Sequence, residues 1–227
     1  MEFNKENKSY FLTCDVVYQM SLEFYKQFQE SRLMYKELTK GGGWNFAGHS
    51  EGENNFYLNC SQTKHRTAIS AIVFQALAVE AYVNLYGAIK MGEKKYYSEI
   101  ETGKKGISTA VKITMIYKQS LHKSFPVNEK VYLDLKDLFE KRNKLVHYKP
   151  IGLDDSNSTI EEFGVNLFNQ VLFIYKNIDS QMTVYYRLKK LLAELDGTQK
   201  DVVAEQESLL DYRDEYLRNE ILKDILR

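Results

Sequence analysis

The stretch TAISAIVFQALAVEAYVNLYGAI, Thr67 to Ile89, is apolar almost all round, and a helix of that kind belongs either at the centre of a core or in a bilayer. It is long enough to span a bilayer, which takes roughly 20 apolar residues. However, Gln75, Glu80 and Asn84 interrupt it, and an acid at mid-membrane costs about 2.5–3.5 kcal/mol on insertion scales. The run is therefore read as a buried central helix from about Arg66 to Lys90, and no membrane is expected among the partners. Glu80 and Asn84 stand four apart on one face of it, so this core helix carries polar groups that need partners.

Around this helix the chain breaks into further segments of helical period, with no sustained period-two alternation, which makes the expected class all-α. A first helix is expected from Phe11 to Leu38, with Leu12, Val16, Met20, Phe24, Phe28 and Leu33 as its apolar stripe, ended by Gly41, Gly42 and Gly43. The segment Gly41–Lys64 mixes Gly, Asn and Ser with Trp44, Phe46, Phe56 and Tyr57, and reads as a long loop or short irregular strand pinned by aromatics. Further helices are expected at Ile107–Leu121 and from Glu129 to His147 or Tyr148, where Pro150 disfavours helix at Lys149. A long helix follows over Ile160–Leu195, capped by Ser158 or Thr159 with Glu161 and Glu162 in its first turn. Asp201–Arg227 reads as a charged helix with a thin stripe of Leu210, Leu217, Ile221 and Ile225. The chain thus divides into an N-terminal helix and Gly/aromatic loop packed on the core (1–64), a helical domain (65–197) and a charged C-terminal helix (198–227).

The composition is globular: 44% of residues are apolar and 27% charged, which excludes a disordered chain. Lys plus Arg and Asp plus Glu both number 31, so bulk charge attracts no nucleic acid. Basic residues nevertheless bunch locally, at Lys136, Lys141, Arg142, Lys144, His147 and Lys149 and at Lys90, Lys94, Lys95, Lys104 and Lys105. Cys14 and Cys60 cannot build a disulfide framework or a four-cysteine zinc site, and MEFNKENKSY has no signal-peptide pattern, so a cytoplasmic location is expected. His49, His65 and His122 show no metal-ligand spacing and GGGWNFAG lacks the Lys of a phosphate-cradling loop; no metal and no cofactor are expected.

The informative segment is VYLDLKDLFEKRNKLVHYKP, Val131 to Pro150. Val131, Leu135 and Leu138 continue by the same steps to Arg142, and the row of Tyr132, Phe139 and Val146 passes through Asn143. Two polar residues thus stand where the pattern reserves apolar ones. A guanidinium is the natural partner for a buried carboxylate, so Arg142 and Asn143 are expected to lie against Glu80 and Asn84. Arg142 and His147 are five apart, about 140° around an ideal helix, so one straight helix does not bring them together.

The string RNKLVHY, Arg142 to Tyr148, resembles the Arg, polar residue, spacer, His signature of the HEPN superfamily, and ALAVEAYVN, Ala76 to Asn84, is similar to the opening helix of such domains. The resemblance covers roughly Thr67 to Leu195. It implies an antiparallel helical bundle, here with extra N- and C-terminal helices, and a homodimer whose composite cleft joins two Arg and His pairs. It further implies a metal-independent endoribonuclease, a hydrolase serving as toxin or defence effector, with RNA as partner and an antitoxin or regulatory protein as a further one. In that chemistry a 2′-OH attacks the adjacent phosphorus, with His147 as base or acid, Arg142 gripping the phosphate and Asn143 orienting either. Glu80, Asn84 and Tyr148 would support the site, and Lys141, Lys144 and Lys149 would bind RNA. The alternative is a non-catalytic HEPN-like interaction or nucleotide-binding module in which Arg142, Asn143 and Glu80 form a structural polar cluster.

Overall fold

A computed structural model describes residues 5–101, 107–146 and 172–197, and the elements among them are helical, with no strand. The elements are α1 (Lys5–Thr39), α2 (Glu51–Met91), α3 (Glu93–Tyr96), running into a π-helical turn at Tyr97–Glu101, α4 (Thr109–Leu121), α5 (Lys130–Val146), α6 (Ile178–Gln181) and α7 (Val184–Leu195). At about 1.5 Å per residue, α2 is roughly 60 Å long. It packs against α1, α3, α4, α5, α6 and α7. The apolar run is thus the core helix: Ala68, Ala71, Ile72, Ala76, Ala78, Val79, Tyr82, Val83 and Tyr86 are all buried. By length and composition alone α2 would also suffice to cross a membrane, and half of its apolar window is buried inside the protein.

The polar interruption at Gln75 is matched inside the bundle. Its Nε2 donates to the Met182 carbonyl at 3.3 Å, and its Oε1 accepts from Ser21 Oγ at 3.2 Å. Gly87 permits a close crossing, since a Cβ there would sit 2.4 Å from the Tyr96 ring and 2.8 Å from Ile116 Cδ1.

α1 lies antiparallel to α2, but only part of the expected stripe faces it: Phe28 is buried and Phe24 packs half-buried against the core, while the side chain of Leu12 lies outside the described residues. Cys14, Tyr18, Leu22, Tyr25 and Phe28 are buried, whereas Val16, Met20 and Leu33 are exposed. Tyrosine carries the buried face because each phenol finds an acceptor: Tyr18 Oη donates to the Met182 carbonyl at 3.3 Å and Tyr25 Oη to Asp179 Oδ1 at 2.6 Å. Beside them Asp15, also buried, accepts from Tyr185 Oη at 2.7 Å and from Lys189 Nζ at 3.1 Å.

The segment expected as a loop from Gly41 to Lys64 is mostly helix. α1 ends through Lys40 and Gly41, both left-handed (φ 48° and 79°), and α2 starts after Ser50, whose hydroxyl caps Glu53 N while Glu53 reaches back to Ser50 N. The aromatics do pin the short joint: Trp44 stacks on Tyr57 (centroids 4.8 Å apart) and its Nε1 donates to Asn54 Oδ1 at 2.8 Å. α2 then passes through positions 64 and 65 without a break.

The helix expected over 160–195 is interrupted where it is described. Asn177 is left-handed (φ 59°), a conformation Asn tolerates better than most residues, and a second irregularity follows at Met182 and Thr183. Side chains use the carbonyls at these breaks: Lys176 O accepts from Lys141, and Met182 O from Tyr18 and Gln75. The Asp201–Arg227 segment and the cap at Ser158 to Glu162 lie outside the described residues.

Candidate functional site

The C-terminal turn of α5 holds the described part of the Arg-Asn motif. Val131, Leu135, Leu138 and Phe139 anchor the helix in the core, and its cover towards the C-terminal end comes from residues 173–187. That cover lies on the side of Asp134, Asp137 and Lys141, spaced three and four apart. Asp134 accepts from Arg187 at 2.7 Å, and Asp137 from Gln181 Nε2 at 2.7 Å.

Lys141 therefore takes the interior position in place of Arg142. Its side chain is fully buried, its ammonium donates to the Lys176 carbonyl and to Gln181 Oε1 at 3.2 Å, and Asp137 lies 3.8 Å away. Burial pulls its pKa down, partly offset by Asp137. The expectation that Lys141 binds RNA is corrected on this ground: the group is a core donor with no surface to offer.

Arg142 is half-buried and donates through Nη1 to Asn143 Oδ1 at 3.0 Å; Asn143 is exposed. No ion pair or hydrogen bond joins Glu80 to Arg142 among the described residues, so the expected pairing of the two polar faces is not formed. Asn84 instead serves α3 and α4, accepting from Tyr96 Oη at 2.7 Å and from Lys112 Nζ at 3.4 Å. Lys144 is exposed; its Nζ donates to Glu140 Oε1 at 2.8 Å and rests 4.0 Å from the Phe173 ring centroid. The hydrogen bond from Lys144, with its charge, holds the Glu140 carboxyl below the usual range. His147, Tyr148 and Lys149 lie outside the described residues.

A second basic group stands nearby, one that spacing rules did not single out. Tyr175 is two residues from Phe173, and its Oη is 2.6 Å from His65 Nδ1, with the rings stacked at 5.5 Å. Beside it, Lys64 Nζ sits 3.3 Å from the centroid of the Tyr35 ring and 5.7 Å from that of Tyr175. Burial lowers the pKa of Lys64 and of His65, and the Lys64 charge lowers that of His65 further. The only sequence signal was the basic doublet Lys64-His65, at the end of the polar stretch Gly41–Lys64 read as loop.

The cysteines offer no nucleophile. Burial, with the charge of Asp15, pushes the Cys14 thiol up to about 12, and burial also raises Cys60. No group of three or more His, Cys, Asp or Glu residues placed to hold a metal occurs among the described residues. Compared with protein-family models, curated proteins and solved structures, the chain matches none.

Proposed function

We propose that the chain is a metal-independent endoribonuclease of HEPN type, acting at the C-terminal end of α5. The observation that carries this reading is the state of Arg142: a half-buried guanidinium at a helix end, bonded to Asn143 Oδ1 and paired with no carboxylate among the described residues. A guanidinium held by a neutral amide keeps donors for a phosphate, which an ion pair would have used. His147, four residues beyond Asn143, supplies the group whose ordinary pKa lies near neutrality, as general base toward the 2′-OH or general acid toward the 5′ oxygen. The products are a 2′,3′-cyclic phosphate and a 5′-OH. Two protomers contributing Arg142 and His147 to one cleft overcome the angle between these residues along a single helix. The biological setting proposed with this activity is a cytoplasmic toxin or defence effector held in check by a partner protein.

The alternative, a structural cluster of Arg142, Asn143 and Glu80 in a non-catalytic module, requires a Glu80 contact that is not formed among the described residues. The deciding experiment incubates the full chain with RNA in EDTA. Cleavage is expected to survive chelation and to fall about 10²-fold or more in both Arg142→Gln and His147→Ala. Intact RNA at every protein concentration, or cleavage undiminished in both variants, refutes the proposal.

A further inference from the structure

Lys64, Lys112, Lys141 and Lys189 are buried among the described residues, and two of them, Lys141 and Lys64, are treated very differently. Lys141 is surrounded by oxygen atoms, from Lys176, Gln181 and Asp137. Lys64 retains 9% of its surface, yet its ammonium has no hydrogen bond and no carboxylate partner among the described residues, only the faces of Tyr35 and Tyr175. A desolvated cation needs an anion, and the ring faces supply only part of that stabilisation.

None of the neighbouring groups can be that anion. The Cys60 thiol donates to the Ser31 carbonyl at 3.6 Å, and burial raises its pKa, so it stays neutral. Tyr35 Oη is engaged with Tyr57 Oη at 2.9 Å and Tyr175 Oη with His65. The other charged group acting on Lys64 is Arg32, a second cation, exposed on α1. His65 adds an imidazole whose Nδ1 is taken up by the hydrogen bond with Tyr175 Oη, which leaves Nε2 as its other polar atom. Lys64, His65 and two tyrosine rings thus meet between α1, α2 and residues 172–175, with the Arg32 charge acting on Lys64 and no acid paired with Lys64 among the described residues.

We propose that Lys64, with Arg32 and His65, forms a phosphate-binding site walled by Tyr35 and Tyr175. The proposal that this phosphate belongs to a single strand of RNA rests on the function proposed above. It follows from the short helical segment 172–175, which sets Phe173 beneath Lys144 at the end of α5 and Tyr175 against His65. A strand leaving the Arg142 end along this segment would meet Lys64, and a cation beside aromatic rings is the combination that single-strand binders use along the backbone.

The test uses the full chain with histidine ring carbons labelled, and inorganic phosphate as the probe. The His65 resonances are expected to shift saturably, to do so equally in Arg142→Gln and Lys64→Arg, and to stop shifting in Lys64→Met, whose helical circular dichroism verifies folding. Unmoved His65 resonances, or the same shift in Lys64→Met, overturn the site. A second arm measures binding of a 2′-O-methyl oligoribonucleotide, which cannot be cleaved, against salt. A fall in the slope of log K on log salt by about 0.7–1 in Lys64→Met assigns the phosphate to RNA. A phosphate shift with an unchanged slope keeps the site and overturns the RNA source, so failure of the site and failure of the nuclease proposal are told apart.

Discussion

In the inner half of the α1–α2 pair, Ala68, Ala71, Ile72, Ala76 and Val79 meet Tyr18, Leu22, Tyr25 and Phe28, and all nine are buried. In the outer half, beyond Ser31 and before Thr63, Cys60 alone is buried, while Leu33, Met34, Phe46, Phe56 and Leu58 are exposed. The same two helices run through both. What holds the outer half is local: the Ser50–Glu53 capping box, the Trp44–Tyr57 stack, the Trp44–Asn54 hydrogen bond and the Tyr35–Tyr57 contact. A long helix can therefore be a core element at one end and a separately held arm at the other, and the junction, at Lys64 and His65, is where the unmatched charge lies.

The inner half owes part of its cohesion to buried polar groups, and breaking one tests this most severely. Asp15→Ala leaves the Lys189 ammonium and the Tyr185 phenol without their acceptor in the core. Removing one partner of a buried pair costs about 3–5 kcal/mol, to be read from urea unfolding of the full chain. A loss under about 1 kcal/mol would mean that water reaches the pair and that the contrast with the arm is overstated.

The same contrast explains how much could be read from the residues. Thr67–Ile89 was legible because an all-apolar helix has few places to go, and the break between α4 and α5 followed from Pro126 and Asn128; the end expected at His147 or Tyr148 lies outside the described residues. The outer half of α2 was not, because EGENNFYLNCSQTK packs so little that no apolar period marks it; its helix is signalled only by the capping pair Ser50 and Glu53. The stripe of α1 was partly misplaced because the buried face is written largely in tyrosine, whose hydroxyls need acceptors from α6 and the turn after it. At the candidate site, periodicity found a cation in the interior turn of α5 but chose Arg142 over Lys141. The choice depends on which neighbour covers the helix end, and that neighbour, from Phe173 to Gln181, is distant in sequence.

Gly87 sharpens the comparison from the packing side. At an unhindered helical position, replacing Gly by Ala stabilises by roughly 0.5–1 kcal/mol. Here the new methyl would lie 2.4 Å from the Tyr96 ring. Overpacking of that kind costs about 1–3 kcal/mol, so the sign reverses and Gly87→Ala is expected to lose about 2 kcal/mol in the same urea assay. In the outer half, Gly52 has nothing within 4 Å of its Cβ position, and Gly52→Ala should keep the ordinary, stabilising sign. Equal signs at the two sites would erase the distinction between a packed and an open half.

The smallest effect addresses whether the arm opens by itself. Ser50→Ala removes the hydroxyl that accepts from Glu53 N and breaks half of the capping box, at an exposed site that touches no core residue. Loss of an N-cap costs about 1 kcal/mol. If the arm is held only by its local contacts, that cost falls on the arm's own opening equilibrium. Amide exchange over the first turns of α2 should then speed up by roughly five-fold, as expected for about 1 kcal/mol, while amides from Ala71 to Val83 keep their rates. Uniform acceleration along the whole of α2 would show instead that both halves unfold as one unit, and that the exposed outer helix draws its stability from the core 20 Å or more along the same axis, at about 1.5 Å per residue.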